Sequence, residues 1–105
     1  MIVLCTFPDG DQASAIARTL VEEQLAACVN LVPQVRSIYR WQGSVCDDRE
    51  QLAIVKTTEA RFAALRDRLV ALHPYDCPEV LGVTVKDGHP GYLAWVADSV
   101  TSGRG

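Results

Sequence analysis

The alternation that begins at Ala27 constrains this chain more than any other feature. Val29 and Leu31 alternate with Cys28 and Asn30, Pro33 interrupts, and Val35, Ser37, Tyr39 and Trp41 then alternate with Arg36, Ile38 and Arg40. A period of two held for so long predicts one strand from Ala27 to Trp41, with a bend or bulge at Pro33. Gln42-Gly43-Ser44 supplies a turn, and Gln51 to Lys56 predicts the return strand, with Leu52, Ile54 and Lys56 on one face and Ala53 and Val55 on the other. At roughly 3.3 Å per residue the first strand would reach about 50 Å, whereas a domain of about 100 residues has a radius of gyration near 13 Å. The hairpin must therefore bend or protrude. Its far end carries Ile38, Tyr39 and Trp41, which a lone two-stranded ribbon cannot shelter from water. A second copy of the chain is the natural cover, and a rotationally closed homo-oligomer also pairs the sheet edges. Strand exchange between subunits is expected.

The remaining elements surround that hairpin. Met1 to Phe7 is a short apolar run rich in strand formers, as expected of a central strand buried on both faces. Asp9 with Gln12 resembles a capping box, and Ala13, Ile16, Ala17 and Leu20 draw one helical face in a helix from about Gly10 to Leu25. Thr57-Thr58 offers an N-cap to a second helix carrying Phe62, Leu65, Leu69 and Leu72, with Arg61, Arg66 and Arg68 left for solvent. Val80 to Val85 predicts another buried strand, broken by Gly82. Pro90 opens a final short helix with a Leu93, Val96, Ala97 and Val100 stripe. The order β-α-β-β-α-β plus a terminal helix is the ferredoxin-like α+β arrangement, a sheet with helices on one face.

At 105 residues the chain fits a single domain, 1–100, followed by a loose polar tail, 101–105. No apolar run approaches the roughly 20 residues of a membrane helix, so no membrane insertion is expected. The net charge is -3 with scattered arginines, which gives no footprint for nucleic acid. The start of the chain does not resemble a secretory leader, and Cys5, Cys28, Cys46 and Cys77 contain no CxxC pair. A cytoplasmic location with reduced thiols is expected.

Metal-capable, acidic, aromatic and backbone-stiffening residues crowd together once, in His73-Pro74-Tyr75-Asp76-Cys77-Pro78-Glu79. The two prolines stiffen the stretch and push His73 and Cys77 towards extended conformations. It is either a positioned site or a rigid crossover from helix to strand.

Taken in order, several fragments resemble the CutA family, the divalent-cation tolerance proteins. They are Leu4-Cys5-Thr6 with Pro8-Asp9, Leu20-Val21-Glu22-Glu23, and Leu25-Ala26-Ala27-Cys28-Val29-Asn30, followed by Ser37, Tyr39, Trp41, Gly43 and Glu50. Lys56-Thr57, His73-Pro74-Tyr75, Pro78-Glu79, Tyr92-Leu93 and Trp95 complete the set, which spans nearly the whole chain. The resemblance implies a ferredoxin-like subunit in a tight homotrimer, and a link to copper and other divalent cations. Carried over by position, the family's proposed copper site falls on Cys5 and His73. Some relatives have two adjacent histidines there, and here Leu72 takes the first place and removes a ligand. The architecture also resembles the trimeric PII signalling proteins, which implies nothing about ligands.

Three kinds of chemistry follow. A thiolate and an imidazole, Cys5 and His73, suit copper or zinc but do not close a tetrahedral site alone, so Asp76, Cys77, Glu79 or a neighbouring subunit would have to contribute. A small-molecule cleft at the subunit boundary would draw on Tyr39, Trp41, Lys56, His73, Tyr75 and Glu79, which mix apolar walls with polar heads. The same aromatics equally suit interface anchors, and Lys56 with Glu79 an ion pair between strands. Cys77 with His73 suits a cysteine nucleophile and Asp76 with Glu79 acid-base work, but no oxyanion motif, phosphate loop or ligand triplet accompanies them, so no enzyme is expected. The expected function is a trimeric cytosolic protein in the response to metal ions, with copper binding; the alternative is a PII-like small-molecule sensor or scaffold that uses no metal, and an unknown protein partner suits either.

Overall fold

The structure, a computed structural model, describes residues 1–101. The elements run β1 (Ile2–Pro8), α1 (Gln12–Glu22), β2 (Cys28–Trp41), β3 (Ser44–Lys56), α2 (Glu59–Leu72), β4 (Leu81–Val83) and α3 (Pro90–Ser99). The sheet runs β2-β3-β1-β4 and every pairing is antiparallel. That is the ferredoxin-like order expected from the sequence. The expected tail, Thr101 apart, lies outside the described residues.

Period two decides the layers. Along β1, Val3, Cys5 and Phe7 are buried while Ile2, Leu4, Thr6 and Pro8 are only half-buried. The buried set joins Ala53 and Val55 of β3, Ala13, Ile16 and Leu20 of α1, and Leu65 and Leu69 of α2 in one core. So β1 is not covered on both faces, as its composition had suggested. The opposite face carries Ile2 and Leu4 in register with Lys56 and Ile54 on one side and with Val83 and Leu81 on the other. Leu81 is 56% exposed and Val83 49%. The β4 strand is also shorter than the expected Val80–Val85 and stands exposed at the sheet edge. Gly82 does not break it. A Cβ there would lie 3.0 Å from Phe62 Cε1 and 3.1 Å from Met1 Sδ, so the glycine admits the Phe62 ring against the strand.

The hairpin is the longest feature of a chain measuring 45 × 26 × 21 Å. Val32 pairs with Leu52 and Val35 with Glu50, so Pro33 and Gln34 form an irregularity where a bend was expected, with Gln34 at φ 59°. Gln42 and Gly43 both have positive φ, which suits a two-residue turn that follows the strand twist. The return strand begins at Ser44, seven positions before its sequence signal at Gln51. Polar residues with little strand preference are held there by cross-strand partners: Arg36 Nε and Nη2 donate to Asp47 at 2.9 and 2.6 Å, and the Tyr39 hydroxyl donates to Asp48.

Helix ends differ in detail from the sequence pattern. The α1 N-cap is Asp11, which makes no side-chain cap bond, so the Asp9/Gln12 box does not form. Gln24, at φ 59°, ends the helix in the left-handed conformation, and Leu25 and Ala26 N–H both reach back to the Leu20 carbonyl. Thr58 caps α2 as expected, accepting from Arg61 N–H. Arg68, solvent-exposed as expected, also grips Glu23 through two bonds of 2.8 Å and ties α2 to α1 at the surface. On α3 only Val96 and Val100 of the expected stripe are buried, against Ala27, while Leu93 is 42% exposed.

Candidate functional site

The His73–Glu79 stretch begins where α2 stops. His73 is the C-cap, its N–H still donating to the Leu69 carbonyl while its own backbone turns extended ahead of Pro74. That turn drives the imidazole inward. Only 8% exposed, it stacks on Phe7 with ring centroids 4.5 Å apart at 18°. Its Nε2 lies 2.8 Å from the Thr6 carbonyl, and its Nδ1 accepts the Tyr75 N–H at 3.0 Å. A carbonyl can only accept and an amide N–H can only donate, so the ring is neutral with its proton on Nε2. Burial lowers its pKa below the ordinary 6.5, against the Thr6 bond and the nearby Glu50 charge, which raise it.

The unfolded chain takes up the His73 proton before the folded one does. Stability is therefore complete above about pH 6.5 and falls as pH drops through the lower folded value. Urea midpoints measured from about pH 8 down to about pH 5 should decline for the wild type and decline less steeply for His73→Gln.

Tyr75 carries the network outward. Its ring lies 4.8 Å from the His73 ring, and its hydroxyl donates to Glu50 Oε2 at 2.7 Å. Glu50 sits on β3 opposite Pro8 and Val35 and is only 6% exposed. Burial, and then the bond to Glu50, push the Tyr75 phenol up. Tyr39 is pushed up to about 12, chiefly by donating to Asp48.

These groups border an open cleft of about 710 Å³. Tyr39 and Trp41 of β2, Glu50 of β3 and Tyr75, Asp76, Cys77 and Glu79 of the stretch after α2 line it; Thr6 and Ser37 complete the polar lining. Of the residues expected in a ligand cleft, Tyr39, Trp41, Tyr75 and Glu79 are gathered here. His73 stands behind the wall as its support, with Nδ1 on the Tyr75 amide. Lys56 is elsewhere: it lies at the far end of β3, in register with Ile2 and Cys28, and donates to Asn30 rather than pairing with Glu79. Glu50 went unnoticed as a site residue because the charged run Asp47 to Glu50 hid the strand that positions it. Cys77 lines the cleft but His73 does not, so the two do not face each other as a nucleophile and base would.

The Cys5 and His73 pair suits copper by donor type and not by access. Cys5 is fully buried in the core, and burial, then the charges of Glu79 and Glu50, push its thiol up to about 12, far from a thiolate. Both His73 nitrogens are already engaged. Among the described residues no three His, Cys, Asp or Glu side chains are placed to hold an ion together.

Comparison with known proteins places this geometry. The model of the family described as CutA1 divalent ion tolerance protein matches residues 1–99. The divalent-cation tolerance protein CutA of Thermus thermophilus is 49% identical over 98 residues, covering 93% of this chain and 95% of that protein. A CutA homolog of Xenopus laevis is 44% identical over 95 residues, covering 90% of this chain but 63% of that longer protein. The solved structure of a divalent cation tolerance protein from Thermus thermophilus superposes with a TM-score of 0.91 at 48% identity, over 95% of this chain and 97% of that one. The structure of a protein from Archaeoglobus fulgidus, named as a periplasmic divalent cation tolerance protein, gives a TM-score of 0.91 at 34% identity, over 95% and 97% of the two chains.

Proposed function

The chain belongs to the CutA1 divalent ion tolerance protein family, and from that premise we propose that it acts in the cellular response to divalent metal ions as a cytosolic homotrimer without catalysis of its own. The family match over residues 1–99 carries the metal-ion part of this reading. The assembly rests on the uncovered sheet face, where Ile2, Leu4, Leu81 and Val83 adjoin, and on the protruding hairpin with Ile38 65% and Val45 66% exposed. An apolar face continuous with an unpaired edge strand asks for a partner surface, and closed rotational symmetry supplies it three times over.

Copper at Cys5 and His73 is supported by donor type alone, and it requires the core to open, since the thiol is buried and both imidazole nitrogens are engaged. Calorimetric titration of chelator-stripped protein with Cu(II) and Zn(II) tests it. Saturable Cu(II) binding abolished by both His73→Ala and Cys5→Ser, with the oligomer intact, is the expected result. Binding that ignores both substitutions places the metal response on other residues. Because the thiol must lose a proton that the core holds, affinity should strengthen as pH rises.

The cleft favours a second reading, that of a small-molecule sensor or scaffold resembling the PII proteins. It is supported by the cleft itself, whose volume of about 710 Å³ lies within the range of small-ligand sites, and by its mixture of aromatic walls and few polar heads.

A further inference from the structure

Resting on the small-molecule reading, we propose that the cleft receives an organic cation, an amine or guanidinium group on a small apolar body, held by Glu50 and walled by Tyr39, Trp41 and Tyr75.

Charge is the first argument. Among the described residues three carboxylates, Glu50, Asp76 and Glu79, line the cleft and no lysine, arginine or histidine does. Arg36 grips Asp47 and Lys56 binds Asn30, while the exposed Arg40 and Arg49 of the strands are not among the residues that line the cleft. Such a cavity concentrates negative potential and draws cations.

Glu50 is the second and independent argument. A carboxylate that is only 6% exposed is expensive unless a counter-charge or several hydrogen bonds compensate it. Here Oε2 accepts one bond, from the neutral Tyr75 phenol, and no ion pair among the described residues reaches the side chain. Its other oxygen is not a buried orphan, since Arg61 Nε is the one such atom among the described residues, and it is free to accept from an N–H-bearing cation in the cleft through a charge-assisted hydrogen bond.

The walls select the body of the ligand. Tyr39, Trp41 and Tyr75 are 40%, 46% and 37% exposed, and present ring surface to a cationic group while burying its apolar remainder. A bare metal ion would use none of this surface. The cation could belong to a free small molecule or to a lysine or arginine of a second copy of the chain; the chemistry is shared and the sources separate by experiment.

Calorimetric titration with 2-phenylethylammonium, and with 2-phenylethanol as its uncharged near-isostere, is the test. The ammonium should bind saturably and at least about tenfold more tightly than the alcohol, and Glu50→Gln should remove about tenfold of its affinity. Trp41→Leu, a change on the exposed hairpin that spares the core, should weaken the ammonium by a similar factor. Equal binding of ammonium and alcohol, or ammonium binding indifferent to both substitutions, overturns the proposal. If a second copy already fills the cleft with its own cation, the wild type takes up no ammonium but its oligomer dissociates on Glu50→Gln, and the proposal stands with that source. No uptake together with an oligomer indifferent to Glu50→Gln overturns it. None of these arms touches Cys5 or His73, so failure here leaves the metal reading standing. Failure of the small-molecule reading is separate too: it requires that the alcohol, as well as the ammonium, leave the cleft unbound.

Discussion

Replacing His73 by alanine is expected to destabilise the fold by about 3 kcal/mol, in the range for truncating a buried aromatic ring. Three losses coincide. The stack on Phe7 disappears, the Thr6 carbonyl loses its donor, and the Tyr75 amide loses its acceptor. An unpaired buried polar group alone costs about 1–3 kcal/mol. His73→Phe keeps the stack and gives up only the hydrogen bonds, so it should fall between the wild type and His73→Ala. Urea denaturation at one fixed protein concentration measures both, since mass action on an oligomer shifts midpoints. A near-neutral His73→Ala would mean that the ring is not a structural support and would favour the metal role for it. The measurement must accompany any copper titration, because loss of binding in a partly unfolded variant says nothing about ligands.

The second large effect is expected where a mutation touches almost nothing within one chain. Leu81→Asp combined with Val83→Asp changes two side chains that are about half exposed at a sheet edge. Surface changes of that kind alter fold stability by about 0.5 kcal/mol or less each. In the proposed trimer the same positions lie on a buried apolar face, where an uncompensated carboxylate is worth several kcal/mol per subunit. Sedimentation at micromolar concentration should therefore show a trimer for the wild type and a folded monomer for the double variant. A wild type that sediments as a monomer, or a double variant that still sediments as a trimer, refutes the assembly through this face.

How much could be read from the sequence depended on whether a signal was local. Val29 through Trp41 announced a long strand because alternation is written into consecutive residues, and Pro33 announced its irregularity because a proline removes a donor wherever it stands. Ser44 to Glu50 announced nothing, since Asp47, Asp48 and Arg49 become strand only by facing β2. Glu50 was lost with them. The heptapeptide stood out in the sequence, but not its internal division. Tyr75 and Glu79 face the cleft while His73 turns into the wall, a choice made by the Phe7 ring and the Thr6 carbonyl, both more than sixty positions away in sequence.

The sequence by itself determined the order of elements, the hairpin and its turn, the helix that His73 terminates, and the family to which the whole belongs. Periodicity, proline and cap chemistry act over a few residues and need no partner. Only the tertiary structure decided that Cys5 is a core thiol, that Lys56 lies away from Glu79, and that Glu50 is a buried carboxylate at the wall of an aromatic cleft. Burial and electrostatic environment are sums over residues distant in the chain, and they exist only once the sheet has brought β1, β2, β3 and the turn after α2 together.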